Sequence, residues 1–544
     1  MRYGHFVFIA ILLLSRALPA AEWPQWRGPL RNGVAPESPV LATSWPQTGP
    51  QRLWLSERIV ANDAGGMGSV VIAGDKVYLY ANWKSGFAGE KAARDVVFCL
   101  DAETGKTLWK AAFPGQVYGS GTSSTPCIAG GKCYVAGGKR LYCLDAVSGA
   151  LLWQTGVIGN EISSSPMLVD GVIALCAGVL QGFDAVTGKF LWQQAAAGSG
   201  NNSSAACWTK NGKSYLITNM GHLCCTDPRN GSVLWSVDSI NCNATPVISG
   251  DDVVVGSPVS CYKLSLQTAE KVWIANISDC GSSPLIYQNY VYAWGRNTFS
   301  CLDLATGKIS WEHQCNGQID SPLLADGKII AITAGGNRLL MFQATPKGYV
   351  ELAQARLLIA NCTSPAIARG RLFLRLHDSV GCYMLTPGAP AAAPRKPENP
   401  PDLVNGVQYA YYHNYGSMTV ADLAACQPAN TGTVANFELT PRRMPNHYAF
   451  KFTGFLDIRQ DGDYIFSTTS QDGSQFYIGD TLVVDNDGTH NVNEMTGLIT
   501  LDPGKHAFTL LFFQYGGNGK LEISYEGPGL PKQKIPDAVL YRMK

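Results

Sequence analysis

Two adjacent cysteines, Cys224 and Cys225, stand in the stretch LCCTD. In an oxidising compartment such a pair can close into a disulfide, a redox group. A second set is spread along the chain, with Asn241-Cys242, Asp279-Cys280 and Asn361-Cys362 each lying just before a Ser/Thr-Pro strand opening. Thiolate and carboxylate both bind metals, so these residues form a candidate metal or redox site if the fold gathers them. The alternative is a slot for small residues with polar turn caps. Which reading holds depends on the elements that carry them.

Those elements repeat. LDAETGKTLW at Leu100 returns as LDAVSGALLW at Leu144, FDAVTGKFLW at Phe183, TDPRNGSVLW at Thr226 and LDLATGKISW at Leu302, with a worn copy, LSLQTAEKVW, at Leu264. Steps between successive Trp residues are 44, 39, 43, 38 and 38, the period of a propeller blade. Each phrase follows a short β-type run, turns on Asp, Thr or Ser, and Gly, then enters a strand ending in Trp. A second hairpin precedes each phrase, so each unit supplies a four-stranded blade. Trp109, Trp153, Trp192, Trp235, Trp273 and Trp311 are expected as wedges between blades. Eight strand-opening phrases are present, the eighth lacks a Trp-bearing strand, and Trp54 near the N-terminus has no unit. The expectation is an all-β chain, an eight-bladed propeller closed by the Trp54 strand.

The phrase LDAxTGxxxW resembles the repeat of the pyrroloquinoline quinone-type propellers, which include quinoprotein alcohol dehydrogenases and a lipoprotein of outer-membrane protein assembly. The opening WPQWRGPLRNGV, Trp23 to Val34, is similar to the start of many secreted bacterial members without assigned activity. The resemblance spans Trp23 to Leu385 and implies the fold rather than the cofactor. Cys225 sits two residues before its Asp, as Cys99, Cys143 and Cys301 do, with Gly182 in that position in the third unit. Residues two apart share a face of a strand, so the position is a small-residue slot and Cys224 points to the other face. The family's paired cysteines belong to a loop, no CxxCH haem motif is present, and pyrroloquinoline quinone is not expected. LCCTD reads as packing.

The repeat gives way to TPGAPAAAPRKPENPPDL, a semi-extended linker over 387–404. Aromatic-rich alternation with Gly and Asp turns follows, an antiparallel β-sandwich over 405–544. Phe452 to His490, with the later YEGPGL, resembles the protective-antigen-type domain of toxins, glycosidases and adhesins. Sugar-binding members hold calcium between two consecutive Asp residues and an Asn from a later loop. The matching positions are Gln471, Asp472 and Asn518, which implies a carbohydrate site and makes Asp472 a candidate calcium ligand with one carboxylate fewer. Asp485, Asn486 and Asp487 could add oxygens but form a turn sequence, and Tyr477 or Tyr515 could stack on a sugar.

The 544 residues carry a net charge of +1, which gives no electrostatic reason to expect nucleic acid or an anionic membrane as partner. Residues 1–20 read as a signal peptide: Arg2, an apolar run from Phe6 to Leu14, and Leu18-Pro19-Ala20 before the cut. No later run is long enough to span a bilayer. The propeller is then 21–386, and the mature protein is expected in the periplasm or outside the cell. The leading reading is an exported, non-catalytic binding protein for carbohydrate, an envelope polymer or other exported proteins. The alternatives are a quinoprotein-like oxidoreductase of alcohols or sugars, with the sandwich delivering substrate, and a part in envelope protein assembly.

Overall fold

The structure, a computed structural model, describes residues 22–544 apart from 47–48, 60, 62–64, 84–91, 116–121, 160, 241–242, 257, 278–280, 316–319, 334–337, 358, 378, 388–393, 418 and 518. The chain forms two compact units, Met1–Ala389 and Pro390–Lys544. Among the described residues no helix is long and apolar enough to cross a membrane.

The first unit is an eight-bladed propeller of four-stranded antiparallel sheets. In the first blade the strands are Val71–Ala73, Lys76–Trp83, Arg94–Asp101 and Thr107–Pro114, innermost to outermost in chain order. Seven blades follow this plan. The eighth contributes Ala366–Ala368, Arg371–Arg375 and Val380–Met384, and its outer strand is Arg52–Leu55 from the other end of the chain. Trp54 pairs with Cys382 there, so the early strand closes the ring as its unassigned Trp suggests.

Each repeated phrase makes one turn. Asp101 Oδ1 accepts the N–H groups of Glu103 (3.1 Å) and Thr104 (2.7 Å) and the Thr104 hydroxyl (2.7 Å). These bonds fix the turn that brings the outer strand back. Across the ladder the small slot faces the Trp: Cys99 opposes Trp109, Cys143 Trp153, Gly182 Trp192, Cys225 Trp235, Cys261 Trp273 and Cys301 Trp311. A Cβ at Gly182 would lie 2.3 Å from the Trp192 ring, so glycine there has a steric cause. Each slot is followed by a register shift that swings the Trp toward the next blade.

The indoles then bond to the neighbour. Trp109 Nε1 donates to Ala146 O (3.3 Å), Trp192 to Pro228 O (2.9 Å), Trp235 to Ser265 O (2.8 Å), Trp273 to Leu304 O (2.7 Å) and Trp311 to Thr345 O (2.7 Å). The turn glycine has two reasons to be glycine. Gly105 takes φ +72, and a Cβ on it would meet Trp54 Cε3 at 2.4 Å. Positive φ alone is legible in a turn; the Trp of the preceding blade pressing on it is not.

The second unit is a sandwich. One sheet runs Leu403–Asn405, Leu540–Met543, Tyr448–Ile458, Gly504–Gln514, Ser474–Ile478, Thr481–Asn486, with Val407–His413 and Asn430–Val434 at its side. The other runs Asn493–Leu501, Gly462–Ser470, Leu521–Gly527, Leu530–Lys534. Phe450, Phe452, Phe466, Phe476, Phe508 and Phe512 fill the space between them, each worth roughly 1.5–3 kcal/mol by area. The described end of the expected linker lies along this unit: Arg395 N–H donates to Thr500 O (2.9 Å) and Glu398 N–H to Lys505 O (3.0 Å).

Candidate functional site

The hub of the propeller is built from the residue that opens each innermost strand. The N–H of Ser69 donates to Thr125 Oγ1 (3.1 Å), that of Thr125 to Ser165 Oγ (3.0 Å), and that of Ser165 to Ser204 Oγ (2.9 Å). Ser203 Oγ carries the link onward to Ala244 O (3.0 Å). Thr245 N–H then donates to Ser283 Oγ (2.9 Å), Ser283 to Ser321 (3.0 Å), Ser321 to Ser364 (3.0 Å), and Ser364 back to Ser69 (2.8 Å). The hydroxyls form a one-way circle through all eight blades. The signal for it is a Ser or Thr at the period of the repeat, followed by Pro in six of the eight blades.

The N-terminal WPQWRGPLRNGV crosses this hub. Trp23 bridges Ile72 of the first blade and Val34 bridges Leu324 of the seventh. Between them Arg27 and Arg31 sit at φ +59 and +54, both buried. Arg27 donates to Ser283 O (2.7 Å) and Pro284 O (2.6 Å), and Arg31 to Ser165 O (3.1 Å) and Pro166 O (2.9 Å). Trp26 Nε1 reaches Thr245 Oγ1 at 3.1 Å. Arg375, also buried, clasps the eighth blade to the first through Gly65 O (2.7 Å), Gly68 O (2.8 Å) and Tyr80 O (3.1 Å). Burial draws Arg27 and Arg375 down to about 9 and Arg31 to about 10, which leaves them charged near neutrality. Their terminal guanidinium nitrogens are turned to carbonyls of the blades.

Between the first and second blades lies a buried carboxylate. Asp95 Oδ1 accepts the Tyr80 hydroxyl (2.8 Å), Asn82 Nδ2 (2.9 Å) and Gly138 N–H (3.4 Å), and Oδ2 accepts the Tyr142 hydroxyl (3.0 Å). Burial pushes its carboxyl above the usual carboxylate range. A Cβ at Gly137 would stand 2.4 Å from Oδ2, so the loop must approach as glycine. Sequence reasoning missed this group; an Asp within a β-run was its only mark.

Of the cysteine candidates, Asn241, Cys242, Asp279 and Cys280 lie outside the described residues. Asn361-Cys362 forms a turn in which Cys362 takes φ +61 and Thr363 Oγ1 donates to Ala360 O (2.8 Å). Cys224 and Cys225 point into different interfaces, Cys224 with Trp192 and Met220, Cys225 with Trp235 and Tyr215. Burial pushes Cys225 up to about 12. No disulfide joins the described cysteines.

In the sandwich, Asp472 follows the strand Gly462–Ser470 at φ +58 and is buried. Its Oδ2 accepts Gln514 Nε2 (3.1 Å) and the N–H groups of Tyr515 (2.9 Å) and Gly516 (3.1 Å); its Oδ1 accepts His490 N–H (3.3 Å). Gln471 lies against the same loop, since a Cβ on Gly517 would meet its Nε2. Asn518 lies outside the described residues. Asp487 Oδ1 accepts Val420 N–H (2.9 Å) and Gly488 N–H (2.8 Å), while Asn486 Nδ2 donates to Ser470 Oγ (3.0 Å). Tyr477 donates to Gln475 Oε1 (2.7 Å), and the half-buried Tyr515 ring lies 4.9 Å from His447. Among the described residues no group of three or more His, Cys, Asp or Glu is placed to hold a metal. Calcium takes six to eight oxygens, and an Asp whose oxygens already receive four N–H donors does not fit that demand.

Eight radial blades closed by the N-terminal strand, with an antiparallel sandwich as second unit, define the class: an eight-bladed propeller of repeated blades followed by a β-sandwich domain. A family model described as outer membrane protein assembly factor BamB matches residues 93–313 and 260–346, and a PA14 domain model matches 403–538. The chain carries PQQ-type propeller repeats of the BamB kind and a C-terminal PA14 domain. It is 25% identical over 293 residues to outer membrane protein assembly factor BamB of Moranella endobia (strain PCIT), covering 51% of this chain and 67% of that protein. With BamB of Yersinia pestis it is 23% identical over 321 residues, 54% and 70% of the two. The quinohemoprotein alcohol dehydrogenase of Comamonas testosteroni superposes with a TM-score of 0.52 at 12% identity, over 71% of this chain and 83% of that one, which shows a shared fold.

Proposed function

We propose that this protein is an exported, non-catalytic binding protein in which the propeller is a rigid platform and the sandwich binds carbohydrate of a cell-envelope polymer. One observation carries the reading. The chemistry-bearing residues that the repeat multiplies are consumed in holding blades together: Asp in turns, Cys behind Trp, Trp on the next blade, Ser and Thr in the hub circle. A scaffold so cross-linked suits presentation of a surface. The naming of its relatives as outer-membrane assembly factors supports an envelope setting. In the sandwich, Gln471, His490 and Tyr515 lie around the Asp472 loops, and amide, imidazole and phenol are groups that bind sugar hydroxyls and ring faces.

The test is a glycan-array screen of the full chain with calcium and with chelator. Binding that survives chelator and falls at least about tenfold in Tyr515→Ala is expected, the scale of one lost stacking contact. Absence of glycan binding in both conditions sinks the carbohydrate half of the reading. Loss in chelator alone would put a cation at Asp472 after all.

A further inference from the structure

The seventh unit departs from the repeat, and a cleft lies where it departs. The partners flanking the outer turn are Leu100 and Thr107 in the first blade, Leu144 and Leu151 in the second, Phe183 and Phe190 in the third, Leu302 and Ile309 in the sixth. In the seventh they are Phe342 and Glu351, a turn two residues longer. The added length carries Tyr349, which stacks on His313 of the sixth blade with ring centroids 3.6 Å apart and planes 10° from parallel. Tyr349 donates its hydroxyl to Glu351 Oε2 at 3.1 Å, holding that carboxylate in place and leaving Oε1 open.

Between the blades is a cleft of about 550 Å³ lined by Asn297, His313, Gln314, Arg338, Tyr349 and Glu351, among others. That volume lies in the range of small-molecule sites. Arg338 is exposed, and among the described residues no acid pairs with it. Arg338 and Phe342 lie four residues apart on one strand face, and Glu351 stands opposite Phe342, which sets the two charges about 13 Å apart at the backbone. Three residues of extended chain span about 10 Å, and the reach of the Arg and Glu side chains covers the rest. The carboxamides of Asn297 and Gln314 line the same cleft.

We propose that the cleft between the sixth and seventh blades binds a short peptide by its two free ends, Arg338 taking the carboxylate and Glu351 the ammonium, with Asn297 and Gln314 bonding the peptide groups between. A guanidinium matches a carboxylate bidentately, and a carboxylate with an open oxygen is the natural partner of an ammonium. The site is independent of the sandwich and its sugar.

Calorimetric titration of the full chain with trialanine, N-acetyl-trialanine and trialanine amide tests it. Trialanine binds, and each blocked peptide binds at least about tenfold more weakly, the loss of one charge-assisted contact. Arg338→Gln weakens trialanine to the level of its amide and makes the protein indifferent to amidation; Glu351→Gln does the same for acetylation. Both residues are on the surface, so unchanged thermal melts confirm that these variants fold. Failure of trialanine to bind overturns the proposal. So does N-acetyl-trialanine binding as well as trialanine, which would leave a simple anion site.

Discussion

Trp54 and Ala102 are 48 residues apart in the chain and joined by one hydrogen bond: the indole Nε1 donates to the Ala102 carbonyl at 3.0 Å. The same ring lies over Gly105, in a strand whose register places Trp54 against Cys382. One side chain thus seals the eighth blade to the first. Trp54→Ala is expected to lower stability by about 3–5 kcal/mol, as large-to-small core changes do. Trp54→Phe, which keeps most of the packing and loses the bond, should cost about 1 kcal/mol more than the volume change alone. Urea midpoints of the two variants check this.

Gly105 and Gly74 separate two causes of glycine. Both have positive φ, +72 and +59, but nothing lies within 4 Å of a Cβ on Gly74, whereas Gly105 faces Trp54. Gly74→Ala should cost about 1–2 kcal/mol, the left-handed backbone term. Gly105→Ala should cost about 1–3 kcal/mol beyond that from overpacking. Equal losses in the two melts would refute the wedge.

The fork of Arg27 reaches two carbonyls of the sixth blade from a buried position. Arg27→Lys keeps the charge but supplies a point donor that cannot serve both. A loss of about 1.5–3 kcal/mol follows, the worth of one hydrogen bond to a charged group. Denaturation of the variant, with Arg369→Lys on the surface as reference, measures it.

Cys224 and Cys225 are buried and their thiols are raised by desolvation. Alkylation of the native protein at mildly basic pH should leave both unmodified while the half-buried Cys426 reacts. Peptide mass spectrometry reads the order. Labelling of the pair before Cys426 would mean that the fourth blade opens.

Asp95 has its pKa raised in the fold, so the folded state favours the proton. Its contribution is fully present below the unfolded value of about 3.9 and is lost as pH rises through the folded one. Stability of the protein should therefore carry a downward component above about pH 4, and Asp95→Asn should lack it. Melting profiles across that range compare the two.

The propeller was legible because each turn is written in full five times: Asp101 to Gly105 states its own hydrogen bonds and its own φ. Ring closure was legible from one surplus Trp. What escaped was contact between blades. Arg27 bonds residues 256 and 257 positions away, a distance at which no local pattern leaves a trace, whereas the hub circle that Ser364 closes across 295 is marked by its recurring Ser or Thr. Gln471 and Asp472 were found as a pair, but only the fold shows the Asp carboxylate facing four N–H donors of its own domain.

The closure by Arg52–Leu55 also sets an order in time. Ser56 and Val380, which exchange hydrogen bonds beside that seam, are 324 residues apart. At roughly 5–20 residues per second a chain emerging from the ribosome has its first outer strand waiting about 15–65 s for its blade. Through that interval RLWL has no partner strand, and the ring cannot shut until the last blade has been made.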